Sequence, residues 1–359
     1  MIVKIKDICD TISETFDFNQ PEIHFLNTGD ILEGHIINDL IYKKEELKGQ
    51  AKKSIKNNDI LFSEIRPKNK HYAIVNLKHP EKYVVSTKLM VIRIKSKVNI
   101  NLKYFYYCIT NENFLNKLQR KAENRIGSFP QITFEVLSNF ELDLPPRHIQ
   151  DKIAEILSNI DNQIERNNCM VKRLQDLGNT IFSKIMSEQK NKILLKDIAQ
   201  MYQPETISSN EFAKDGKYPV YGAGGIIGRF DRYNHENSEL MISCRGVCGK
   251  AELSIPKSFI IGNQMVIKLN NPKYKYFLYN YFLLYDFSNV ETGSVQKQIT
   301  RANLEKIELE LPNEDIINEY FEIFENIYKQ KMQIILQTNE LNKLKQQLLP
   351  LLINGQLEV

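Results

Sequence analysis

A chain of 359 residues is too long for one small domain and fits two or three of ordinary size. Its 42% hydrophobic content is that of a protein with real cores. Five scattered cysteines and an amphipathic start, Met1-Ile2-Val3-Lys4, predict a cytoplasmic protein with reduced thiols and no signal peptide, and no apolar run approaches the ~20 residues of a membrane span. A net charge of +4 is too mild to identify a nucleic-acid partner, so local basic clusters carry that question.

The first segment, residues 1–145, has short apolar runs punctuated by turns. Ile60-Leu61-Phe62, Tyr72-Ala73-Ile74-Val75, Tyr83-Val84-Val85 and Leu89-Met90-Val91-Ile92 read as strands, and Leu102 to Lys121 as a helix. The segment closes on Gly127-Ser128-Phe129-Pro130-Gln131-Ile132-Thr133 and then Leu137, Phe140, Leu142, Leu144 and Pro145. Residues 146–190 follow as a helix. Ile149, Ile153, Ile156, Ile160, Gln163, Asn167, Met170, Leu174, Leu177 and Ile181 recur in alternating steps of four and three, a heptad seam.

Residues 191–312 repeat the first segment in outline. Lys196-Asp197-Ile198 echoes Lys6-Asp7-Ile8, and Gly293-Ser294 with Gln298-Ile299-Thr300 leads into Leu304, Ile307, Leu309, Leu311 and Pro312. From Gln131 and Gln298 to Pro145 and Pro312 the offset between copies is constant, which marks two copies of a whole domain rather than a short solenoid repeat. The frames match while the interiors differ in length, as expected if the two copies recognise different things. Residues 313–359 form the second helix, where the same offset places Ile316, Tyr320, Ile323, Ile327, Gln330, Ile334, Gln337, Leu341, Leu344 and Leu348 on a seam. Two such helices in one chain pack most simply antiparallel, with Gln163, Asn167, Gln330 and Gln337 either fixing register or standing as local exceptions.

The order domain–helix–domain–helix resembles the specificity (S) subunit of type I restriction–modification enzymes. Asp59-Ile60-Leu61-Phe62-Ser63-Glu64-Ile65-Arg66-Pro67 is similar to the strand and turn of that family's target recognition domains. So are Tyr218-Pro219-Val220-Tyr221-Gly222 through Gly228, and Ile242-Ser243-Cys244-Arg245-Gly246 with Gly249-Lys250. Gly293 through Thr300 resembles the motif that closes each recognition domain, and Leu348 through Gly355 the C-terminal signature. The first copy departs from the second in having Phe129-Pro130 where the second has Val295-Gln296-Lys297.

The resemblance implies an α+β protein: two pseudo-repeated mixed α/β target recognition domains joined by two long antiparallel coiled-coil helices. It implies a non-catalytic subunit whose domains each read one half of a bipartite double-stranded DNA site. The helices would set the spacer and dock two methyltransferase subunits that bind S-adenosylmethionine, and an endonuclease/translocase subunit would join them.

DNA reading needs cations for phosphate and forked side chains for base edges. Lys43, Lys44, Lys48, Lys52, Lys53 and Lys56 precede the Asp59 strand, and Arg66, Lys68, Lys70 and His71 follow it. Arg229, Arg232, Arg245 and Lys250 cluster in the second domain, with Lys297 and Arg301 near its closing motif. The expected DNA contacts are Lys52, Lys53, Arg66, Lys68, Arg229, Arg232, Arg245 and Lys250; the plain alternative is a solvated basic face. Gln131 and Gln298 read better as structural than as adenine-binding.

Tyr221 through Gly228 is a tight turn rather than a dinucleotide fingerprint, because Ile227 stands where the third glycine belongs and no helix follows. Asn271-Pro272-Lys273-Tyr274 reads as a turn before an aromatic helix. Cys244 and Cys248 have no second pair or histidine set to complete a zinc site. No ATP-binding phosphate loop is present, and the rival reading to DNA recognition is a two-domain adaptor that binds another kind of ligand.

Overall fold

The structure, a computed structural model, describes every residue except 20–21, 48, 124–129, 188–189, 214–215 and 294–295. Lys48, Gly127-Ser128-Phe129 of the first closing motif and Ser294-Val295 of the second therefore lie outside the described residues. The chain divides into two compact units. One comprises residues 1–164 and 340–359, the other residues 165–339.

In the first unit, strand Ile2–Lys4 runs antiparallel to Glu141–Asp143, with Val3 opposite Leu142. The turn Ile5–Ile8 buries both isoleucines and feeds strand Cys9–Ile12. That strand opens a four-stranded antiparallel sheet in the order Cys9–Ile12, Leu89–Ile94, Ile60–Ser63, Tyr72–Ile74. Its two central strands, Leu89–Ile94 and Ile60–Ser63, read as apolar runs because both faces are covered. Successive side chains alternate between faces. Ile60, Phe62, Met90 and Ile92 join the main core against helices Leu102–Thr110 and Glu112–Glu123, while Leu61, Leu89 and Val91 enter a second core with Leu26, Ile31 and Val85. The expected single helix from Leu102 to Lys121 is thus two. Asn111 is extended at φ −67°, ψ 153°, and its side-chain oxygen accepts from the Phe114 amide at 2.9 Å, capping the second helix.

A second sheet has the order Ile41–Tyr42, Ile23–Leu26, Tyr83–Ser86, Ala51–Ser54, with its two central strands parallel.

The other unit repeats this plan. Lys190–Leu194 pairs with Glu308–Pro312, and Leu195–Ile198 leads into Ala199–Tyr202. The main sheet has the order Ala199–Tyr202, Gln264–Leu269, Leu240–Ser243, Ala251–Leu253. The second sheet has three strands, Gly225–Phe230, Tyr218–Gly222 and Phe259–Ile260, again with a parallel pair. Among the described residues the place of Ala51–Ser54, which carries Lys52 and Lys53, is taken by a single antiparallel bridge of His235 to Ser258.

The long helices are Arg147–Ile185 and Glu314–Ile353, of 39 and 40 residues, each roughly 60 Å long at ~1.5 Å per residue. Within the first unit Asp161 meets Lys345, and Ile153 and Leu157 share a core with Leu352. Within the second, Asn167 donates to the Thr338 hydroxyl at 3.2 Å, Lys331 donates to Gln175, and Gly178 lies against the Tyr328 hydroxyl. Advancing along one helix means retreating along the other, so the pairing is antiparallel in each unit.

The buried face differs from a strict heptad seam. Met170, Leu177, Ile323 and Leu344 are exposed, as are Gln330 and Gln337, whereas Leu157, Gly178, Phe182, Ile185 and Tyr328 are buried. A helix of 3.6 residues per turn drifts ~20° per heptad, so a seven-residue template walks off the packed face. Of the mid-seam polar residues, Asn167 is buried and bridges the helices, while Gln330 and Gln337 face outward.

Candidate nucleic-acid interface

Each main sheet ends its third strand in a turn that the closing motif seals. In the first unit, Ile60–Ser63 runs into Glu64-Ile65-Arg66, a short helical turn Pro67–Asn69, and back into Tyr72–Ile74. The Ile132 amide donates to the Glu64 carbonyl at 2.8 Å, Ile65 bridges Gln131, and the Arg66 amide donates to the Pro130 carbonyl at 3.0 Å. The Gln131 side chain donates to Glu64 at 2.9 Å. Arg66 and Lys70, on either side of the helical turn, both have left-handed backbones, φ 45° and 59°.

The second unit builds the same seal. The Ile299 amide donates to the Cys244 carbonyl at 3.0 Å, and Arg245 bridges Gln298. Register therefore equates Glu64 with Cys244, Ile65 with Arg245, and Arg66 with Gly246, whose φ is 82°. This turn stands beside the hairpin turn Gly222–Gly225. A Cβ on Gly246 would lie 3.6 Å from the Ala223 Cβ, and the Lys250 ammonium reaches the Gly224 carbonyl at 3.5 Å while pairing with Glu252 at 2.6 Å. A Cβ on Gly249 would meet Phe287 at 2.8 Å, so that position needs glycine for space as well as for its φ of 79°.

The expected cations divide by what holds them. Arg66 and Lys68 share the first turn and are exposed; Arg245 and Lys250 share the second and are exposed. Lys52 is exposed on strand Ala51–Ser54, but its neighbour Lys53 turns inward, donating to the carbonyls of Thr87 and Leu89 at 3.1 and 2.8 Å. Burial pulls the Lys53 pKa below the ordinary lysine value, Lys88 adds to this, and Glu64 opposes it. Arg229 donates to the carbonyls of Gly216 and Lys217, and Arg232 lies over the rings of Phe230 and Phe259 while pairing with Glu205 at 3.3 Å. Arg229 pairs across from Pro219, at the opposite end of the hairpin from the Gly222–Gly225 turn, so the second domain's four cations form two groups.

Among the flanking cations, Lys56 pairs with Glu14 and Lys70 with Glu33, and the His71 ring meets the Ile31 carbonyl. Lys297 pairs with Glu291 at 2.7 Å. Sequence reading passed over Lys88, in the strand link beside Lys53 and Glu64, and Val247, the exposed tip of the second turn. The pair Gln131 and Gln298 separates: the first is bonded to Glu64, the second is exposed. Cys244 is buried, and the half-buried Cys248 donates to the Lys297 carbonyl, as packed thiols do. Among the described residues no cluster of His, Cys, Asp and Glu can hold a metal ion, and no helix is long and apolar enough to cross a membrane.

Residues 1–176 and 187–346 match the family model for the type I restriction modification DNA specificity domain. The chain belongs to that family. It is 40% identical over 177 residues to the HindI specificity subunit of Haemophilus influenzae, a match covering 49% of this chain and 38% of that protein. It is 24% identical over 344 residues to a putative MjaX specificity subunit of Methanocaldococcus jannaschii, covering 84% of this chain and 79% of the relative. Its fold is similar to the crystal structure of the type I restriction-modification S subunit from M. genitalium, with a TM-score of 0.65 at 15% identity over 98% of this chain and 95% of that one. Two specificity domains and two long helices, α+β throughout, are thus the architecture of this chain.

Proposed function

We propose that this chain is the DNA-reading subunit of a type I restriction–modification complex, with no chemistry of its own. Residues 1–145 and 191–312 each read one half of a bipartite duplex site, and residues 146–190 and 313–359 are the spacer helices. The observation that carries this reading is the repeated turn: the same strand end, sealed by the same Gln-Ile-Thr, presents exposed cations in both domains within otherwise divergent surroundings. Arg66, Lys68 and Lys52 serve the first half-site, and Arg245 and Lys250 the second. Lys53, Arg229 and Arg232 add to the positive field.

Met170, Leu177, Ile323 and Leu344 are apolar side chains exposed on the long helices. They are the proposed docking points for two methyltransferase subunits, which bind S-adenosylmethionine and modify adenine. An endonuclease/translocase subunit would join the same complex.

The deciding experiment sequences methylated adenines in cells that carry the chain with its modification partners. Replacing residues 197–292 with the matching part of a relative is expected to change one half of the methylated sequence and leave the other. A change in both halves, or in neither, sinks the modular reading. Binding to DNA that does not weaken with salt would favour the adaptor reading, since phosphate contacts release counterions and give a steep slope.

A further inference from the structure

We infer that Arg66 reads a guanine in the half-site of the first domain, through a guanidinium aimed by a strained turn; this rests on the DNA-reading function above. Arg66 occupies the left-handed region, φ 45°, at the position that the second domain fills with Gly246. Arginine has no intrinsic claim on such a backbone, and glycine is its ordinary occupant. Strained residues persist where the surroundings over-determine them, and they collect where direction matters.

The surroundings here hold the turn on every side. The Arg66 amide is bonded to Pro130, the Asn69 amide to the Arg66 carbonyl at 2.8 Å and the Lys70 amide to the Pro67 carbonyl at 3.0 Å. The Lys68 amide reaches the Gln119 side chain at 3.4 Å, and the Lys70 carbonyl accepts from the Glu33 amide at 2.8 Å. Pro67 is buried and fixes its own φ. The rigid turn fixes where the exposed Arg66 side chain leaves the backbone.

A point charge for phosphate needs no such aim. Lys52 and Lys68 supply that kind of contact from ordinary backbone. A bidentate fork onto guanine O6 and N7 does need it, because both hydrogen bonds are lost on misdirection. The second domain, with glycine at this place and Arg245 one residue earlier, delivers its cation from an unstrained position. The two domains therefore present their arginines from different points of one shared turn, as readers of different half-sites would.

The test uses the full chain in complex with its methyltransferase subunits, on duplexes carrying its own methylated site. Each guanine of the first domain's half-site is replaced in turn by 7-deazaguanine, which lacks the N7 acceptor. The wild type is expected to lose affinity by roughly 5-fold or more at one guanine, the lower end of a bidentate contact, because O6 keeps its hydrogen bond. Arg66→Gly is expected to bind the natural site at least as weakly, to lose nothing more on that replacement, and to melt no lower than the wild type. Arg66→Lys, which keeps the charge and can still donate to guanine but lacks the planar fork, should fall between the wild type and Arg66→Gly. The inference is overturned if the half-site holds no guanine, or if Arg66→Gly keeps the full 7-deazaguanine sensitivity. It is also overturned if that variant loses affinity equally for all sequences with a smaller salt slope, the mark of a phosphate contact. A wild-type complex without sequence-specific, salt-dependent binding would instead sink the DNA-reading function itself.

Discussion

Asp59 and Glu239 stand at the same place, one residue before the third strand of their sheets, and the two units treat that carboxylate differently. Asp59 is 1% exposed and gripped by Arg93, with Nε to Oδ1 at 2.6 Å and Nη2 to Oδ2 at 2.7 Å; the Lys56 amide adds a third bond at 2.8 Å. Sheet register puts Lys268 where Arg93 would be in the second unit. Glu239 is only half-buried and makes no ion pair among the described residues, and desolvation raises its pKa against the opposing pull of Lys275 and Lys268. A duplicated frame thus preserves strand order and sealing hydrogen bonds, while the polar chemistry at equivalent points is free to differ. The second units of such pairs need to share only what holds the sheet together.

The strongest way to break this comparison is to remove each cation in turn. Arg93→Met leaves Asp59 as a buried carboxylate without its charge partner and should cost roughly 3–5 kcal/mol. Lys268→Met, beside a half-exposed acid with no pair to lose, should cost less than about 1 kcal/mol. Denaturant unfolding of both variants, with hydrogen exchange to assign the loss to one unit, checks the pair. Equal costs would mean that the grip on Asp59 contributes nothing special.

The long helices carry a similar contrast. Leu157 is fully buried in the first unit, and Leu177 is 48% exposed in the second, although only the latter lies on the heptad seam. Leu157→Ala should cost about 2–4 kcal/mol, a buried truncation. Leu177→Ala should change stability by less than about 1 kcal/mol and act instead on the proposed assembly with methyltransferase subunits. Thermal melts of the isolated chain and co-purification with those subunits separate the two effects. A large stability loss at Leu177 would restore the heptad face.

How much of this was legible in the sequence follows from where the information sits. The repeated Lys-Asp-Ile and Gln-Ile-Thr were visible because each performs one local task, a turn or a seal, in both domains. The apolar runs Ile60-Leu61-Phe62 and Leu240-Met241-Ile242 announced buried strands because both sheet faces are covered. The parallel pairing of Ile23–Leu26 with Tyr83–Ser86 joins segments far apart in the chain and leaves no local mark. Cations told less than their number suggested. Lys52 and Lys53 are neighbours in sequence, yet alternation along a strand sends one to solvent and the other onto two carbonyls. The left-handed backbone at Arg66 was equally hidden, because nothing in Ile65-Arg66-Pro67 names a conformation usually reserved for glycine. It emerged from register with Gly246.

The finest test of the comparison is titration. Because burial raises the Glu239 pKa, the folded state holds that proton more tightly than the unfolded chain does. Ionising Glu239 in the fold therefore costs stability. The cost is fully present above its folded pKa and fades as pH falls through that value toward the ordinary glutamate range near about 4.3. Glu239→Gln removes the ionisation and should stabilise the chain at neutral pH, by an amount that shrinks as the pH is lowered. Asp59→Asn should do the reverse at neutral pH, since it breaks the fork with Arg93 and leaves that guanidinium without its main partner. Unfolding midpoints of both variants at neutral pH and at about pH 4 decide the matter, the lower value lying near the ordinary carboxylate pKa. A neutral-pH loss for Glu239→Gln, or a gain that does not change with pH, would place both carboxylates in the same role and end the distinction between the two sheets.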